Sequence, residues 1–207
     1  NIAKMVFDMI SPKHNKSYKY KKNEDQYPLE LSQKDFIALA KCTTYSRHFI
    51  PASSFKGSFL EVDINNARGL FRSADWHDWL LYCFPTLVCS QFQEKYVRDG
   101  FLFLVRGIAL SLQFSVNQTT LKEIEQYVSL PYAFELSLTF LIFWSFEAWF
   151  QFLDKLISEK KISNSVYKFN NHALVHIPYM IKQTSSMRCT SVRSLEREIG
   201  KQSFSRI

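Results

Sequence analysis

Apolar residues in this chain recur at three- and four-residue spacing, and no long stretch alternates apolar with polar residues. A strand buries every second residue and a helix every third or fourth, so this spacing confines the fold to packed helices. Ile2, Met5, Val6, Met9 and Ile10 share one side of a first helix, which Ser11-Pro12 ends. Ser32 with Asp35 three residues on caps a second, running to about Arg47 with Phe36, Ile37, Leu39 and Ala40 apolar. Asp75 opens a third block, Trp76, Trp79, Leu80, Tyr82, Cys83 and Phe84, closed or kinked at Pro85. Phe92 to Phe114 reads as a longer helix in which Gly107 permits close packing rather than forming a site. Thr120 and Glu123 make a capping box for the next, through Leu121, Ile124 and Tyr127. The expected fold class is mainly α, an irregular helical bundle with long loops.

A chain of 207 residues that is 46% hydrophobic and 16% aromatic can hold a good core. Between the helices, Lys13 to Glu30 is polar, basic and dotted with aromatics, and reads as a mobile loop. Residues 51–74 read as irregular, with at most a short strand at Ser58 to Val62. Leu130 to Phe150 is the most apolar run, but Glu135 and Glu147 bracket only eleven residues of it, against the roughly 20 that a spanning helix needs. A buried or interfacial helix is expected there, and no membrane partner. Lys160-Lys161 and Ser163-Asn164-Ser165 end this long helix, and Pro178 falls near the first turn of the next segment. Ser191 or Ser194 caps a terminal helix with Arg193, Arg197 and Lys201 along one side.

The formal charge of +7 suits an anionic partner. Lys13, Lys16, Lys19, Lys21 and Lys22, interleaved with Tyr18 and Tyr20, can embrace a nucleic-acid backbone and stack bases, or form a solvated linker. Cys42, Cys83, Cys89 and Cys189 show no Cys-x-x-Cys spacing and read as plain buried thiols in a reducing, intracellular compartment. The chain starts at Asn1 without a secretory signal and reads as a fragment. His172 and His176 stand four apart, so one metal ion could bridge them. No third ligand is near and His-Glu-x-x-His is absent, so helix-packing histidines are the first reading and a metal pair the second. Neither a nucleophile elbow nor a glycine-rich phosphate loop is present. Glu123/Glu125 and Glu196/Glu198 are spaced two apart, diverge on a helix, and read as solvated faces.

Taken in order, His172, His176, Ile177-Pro178, Arg188 and the run Leu195-Glu196-Arg197-Glu198-Ile199-Gly200 resemble the helical domain that follows the catalytic core in CACTA-type (En/Spm-like) DNA transposases, especially copies from early-diverging fungi. Asn1 to Asp8 resembles the segment after that core's Asp-x-x-His motif, and Asp75-Trp76-His77-Asp78-Trp79-Leu80-Leu81-Tyr82 with Pro85 is similar to the family's next helix. The family's Gly-Pro-Leu turn before Arg188 reads Ser185-Ser186-Met187 here. The resemblance implies the C-terminal part of a ribonuclease H-like transposase in the nucleus, inactive alone because the first two catalytic acids lie upstream. It divides the chain into a helix over 1–10 continuing from that core, a basic and irregular region over 11–74, and a helical transposase-associated domain over 75–207. Within the last, 128–145 looks inserted, as a retained intron would be. The intact parent holds Mg or Mn with three acids, and Glu196 matches the third. No cofactor is expected in the fragment, and DNA is its expected partner, through Lys13, Lys16, Lys19, Lys21, Lys22, Arg193, Arg197 and Lys201.

Overall fold

The computed structural model describes residues 2–22, 24–46, 73–113 and 138–184. Helices dominate, and no strand occurs among the described residues beyond one isolated bridge between Lys19 and Ile162. Helix α1 (Ile2–Ile10) buries Ala3, Met5, Val6, Phe7, Met9 and Ile10, and ends where Ser11-Pro12 was expected to end it. Helix α2 (Gln33–Ser46) begins at its anticipated cap, where the Asp35 N–H donates to Ser32 Oγ at 3.1 Å. Its buried face is Phe36, Leu39, Ala40 and Thr43, an i, i+3, i+4, i+7 set, whereas Ile37 lies off that face and is exposed.

Pro85 neither closes nor ends its helix. Helix α3 (Ser73–Asp78) continues as a π-helix over Trp79–Val88 with Pro85 inside it. The wider winding bonds residues five apart, as in Cys89 N–H to the Phe84 carbonyl, and the Thr86 hydroxyl donates to the Tyr82 carbonyl at 2.6 Å. A 3₁₀ turn at Cys89–Gln91 then leads to α4 (Lys95–Ser111).

Helix α4 and α5 (Leu138–Ser158) pack antiparallel, because Gly100 meets Phe152 while Gly107 meets Phe146. A Cβ on Gly107 would sit 2.6 Å from Phe146 Cε1, which bears out the close-packing role expected of that glycine. Residues 138–145 of the suspected insert run unbroken into α5 and bury Leu141, Ile142 and Ser145. The rest of that segment lies outside the described residues, as do the Thr120/Glu123 cap, the short strand at 58–62 and the terminal helix. Helix α5 ends in a Schellman motif: Lys161 N–H reaches the Leu156 carbonyl at 2.9 Å, Lys160 N–H the Ile157 carbonyl at 2.9 Å, and Lys160 takes a positive φ of 56°. Helix α6 (Phe169–Thr184) carries Pro178 well past its first turn, a correction to the expected position, and Pro178 has no N–H to offer the Leu174 carbonyl.

Aromatic rings join these helices into one core. Phe7 touches Phe36, Trp76 and Trp79 at 5.3, 5.4 and 5.7 Å between centroids, Trp79 touches Phe84 at 5.4 Å, Phe84 touches Phe101 at 5.2 Å, and Phe101 touches Trp149 at 5.6 Å. At the far end the Trp149 indole N–H donates to Asn171 Oδ1 at 3.3 Å, and Asn171 Nδ2 donates to the Val166 carbonyl at 2.9 Å. No helix among the described residues is long and apolar enough to cross a membrane.

Candidate nucleic-acid interface

The basic segment after α1 is not the mobile loop its composition suggests. Tyr18, Tyr27, Leu29 and Leu31 are buried, and two 3₁₀ turns, Asn15–Ser17 and Glu24–Gln26, fold the segment into a strap across the core. The strap is clasped from the other end of the chain. Ser163 N–H donates to the Tyr18 carbonyl at 2.7 Å, Ser165 Oγ donates to the Ser17 carbonyl, and Lys19 bridges Ile162. Burying Tyr18 and Tyr27 anchors the strap, and the Tyr27 hydroxyl is satisfied by the Met9 carbonyl at 2.9 Å. Burial, with Tyr18 and Glu30 close by, holds the Tyr27 phenol well above its ordinary range.

The clasp shapes a cleft of about 360 Å³, lined by Lys16, Ser17, Lys19, Tyr20, Lys21, Lys22 and Ser163. Four of the five expected lysines therefore converge, and Lys13 is exposed outside the lining. Lys19 is partly neutralised by Glu30 at 2.5 Å and lies 5.7 Å from the Tyr27 ring centroid. Lys16, Lys21 and Lys22 are exposed and make no ion pair among the described residues. Three uncompensated ammonium groups around one concavity focus positive potential there, which suits phosphate oxygens.

The aromatics have another role than the expected one. Tyr18 is only 2% exposed, so it cannot stack a base. It supports Lys168, whose Nζ lies 4.4 Å from the ring centroid and donates to the hydroxyl at 3.1 Å. Tyr96 does the same for Lys155 and Lys161, at 5.2 and 5.6 Å. Tyr20, half-buried in the lining, is the strap ring left facing the cleft. Composition could not reveal the Ser163 wall, although the Lys160-Lys161 and serine cluster marked a turn there.

The histidines stand apart from this surface in their contacts. Both rings are exposed, so the helix-packing reading fails, and their Nε2 atoms lie 3.1 Å apart with the rings edge-on at 79°. Among the described residues no group of three or more His, Cys, Asp and Glu could hold a metal ion. The thiols divide: Cys83 and Cys89 are buried and pushed up to about 12 by that burial, whereas Cys42 is exposed, contrary to expectation. Glu196, Arg193, Arg197, Lys201 and Cys189 lie outside the described residues. No family model, curated protein or solved structure matches this chain.

Proposed function

We propose that the chain is a helical C-terminal piece of a CACTA-like DNA transposase, inactive alone, that holds DNA by its phosphates without reading sequence. The observation that carries the reading is the cleft, where Lys16, Lys21 and Lys22 stand beside Lys19 with no ion-pair partner among the described residues. Lysines are point charges suited to phosphate and carry no fork for base edges, so such contacts position rather than specify. Mg or Mn chemistry belongs to the intact parent. Of its three acids this chain supplies only Glu196, and one carboxylate cannot fix two metal ions, so no catalytic step is assigned to the fragment. The family resemblance also carries the nuclear location.

Fluorescence anisotropy of a labelled duplex tests the DNA contact. Affinity should fall linearly on a log-log plot as salt rises, equally for unrelated sequences, and Lys16→Ala/Lys21→Ala/Lys22→Ala should flatten the slope by about 0.9 per lysine. Affinity that ignores salt, or no binding at low salt, removes the reading. A helical protein-interaction module without catalytic ancestry then takes its place. The exposed side chains of Phe140, Phe143, Val175, Tyr179 and Met180 favour that second reading.

A further inference from the structure

We propose that His172 and His176 form a solvent-facing chelate for one divalent transition-metal ion of the copper(II), nickel(II) or zinc(II) class. The pair has the bite such an ion needs. With metal–nitrogen bonds of about 2.0–2.1 Å, two nitrogens 3.1 Å apart subtend roughly 95–100° at the metal, between the cis angle of a tetragonal centre and the tetrahedral angle.

Three further features suit the pair to this role. Both rings are exposed, so binding displaces no packing. The backbone that carries them is fixed from beneath: Leu174 and Asn171 are wholly buried, and Asn171 is tied to Trp149 and to the Val166 carbonyl. Lys168, one turn before His172, could repel a cation, but its ammonium is held on Tyr18. Among the described residues no third His, Cys, Asp or Glu joins the pair, so its remaining coordination positions are open to water or to a donor from another molecule.

Without metal, one Nε2–H donates to the other Nε2 across the 3.1 Å gap. Chelation needs both Nε2 lone pairs. The shared proton therefore moves through solvent to Nδ1 of its own ring, which frees both Nε2 atoms for the metal.

The test uses the whole 207-residue chain in a Cys42→Ser/Cys189→Ser background, which removes the thiol that is exposed among the described residues and the one that lies outside them as competing ligands. Melting is followed with copper(II), nickel(II) or zinc(II) chloride, and with EDTA. At a metal concentration ~100 times Kd the melting temperature should rise by roughly 5–10 °C, with copper(II) acting at the lowest concentration. His172→Ala and His176→Ala should each abolish the rise while melting normally in EDTA. Histidine ¹⁵N spectra with zinc should show both rings protonated at Nδ1. No rise with any of the three ions, or a rise that survives both substitutions, overturns the proposal.

Discussion

Lys160 shows how a single backbone angle weighs against a side chain's chemistry. It closes α5 at a φ of 56°, a conformation that costs a residue with a Cβ about 1–2 kcal/mol and costs glycine almost nothing. Glycine also gains unfolded-state freedom, which opposes the benefit by roughly 0.4–1 kcal/mol. The balance favours Lys160→Gly by about 0.5–1 kcal/mol, read as a higher denaturant midpoint at unchanged slope. Buried acids weigh in the opposite direction as pH rises. Burial moves the Cys83 and Cys89 thiols from 9.0 up to about 12, with Asp78 adding to the shift at Cys83 and Arg98 opposing it at Cys89, and raises the Tyr27 phenol too. Groups whose proton is held more tightly when folded contribute stability in full below their unfolded value, and lose it as pH climbs through the folded one. The melting temperature should therefore hold to about pH 9 and fall steadily toward pH 12. Cys83→Ala should flatten that fall, whatever it does to the plateau.

At the scale of helices, the α4–α5 contact sets propensity against packing. Alanine in place of a helical glycine gains about 1 kcal/mol of intrinsic preference. At Gly100, however, the new methyl would overlap the Cγ end of the Phe152 ring, which is fixed to its backbone, whereas at Gly107 it would meet the outer edge of Phe146. Overpacking of this kind costs typically about 1–3 kcal/mol. Gly100→Ala should be destabilising by about 1–2 kcal/mol and the worse of the two, with Gly107→Ala nearer neutral; equilibrium unfolding of both variants ranks them. Gly107 was readable in the sequence because it falls inside the run Phe101 to Leu110, apolar but for Arg106, where a glycine suits close helix packing. Gly100, directly after the charged Arg98 and Asp99, carried no such sign. Helices α1 and α2 were legible through periodicity and a cap. The π-winding around Pro85 was not, because proline marks a stop locally, whereas Trp79, Phe84 and Val88 of the same helix are buried in the core on either side of it.

Across the whole molecule, the aromatic path from Phe7 through Trp79, Phe84 and Phe101 to Trp149 makes α1 and α6 parts of one core. The lysines of the cleft were legible one by one, since charge needs no partner to be seen. Their arrangement was not, because Tyr27, Leu29 and Leu31 carry the two-residue spacing of a strand in a segment that joins no strand among the described residues, and nothing local says which distant turn will reach Tyr18. The same reasoning separates the two readings of function. A phosphate surface should lose part of its salt slope with Lys16, Lys21 and Lys22, while a protein-docking surface should be indifferent to them.

The clasp between Ser17-Tyr18 and Ser163-Ser165 has a consequence for synthesis. Its two halves are separated by 148 residues at the Ser17–Ser165 contact, so the lysines leave the ribosome long before the wall that shapes them into a cleft. Until the second half emerges, the nascent strap lacks the Ser163 and Ser165 contacts to Tyr18 and Ser17, and its lysines are free to meet ribosomal RNA or a chaperone. Closure over so long a stretch is among the last and slowest contacts to form. A chain truncated before Ser163 would keep every strap lysine and lack the Ser163 and Ser165 contacts that clasp the strap.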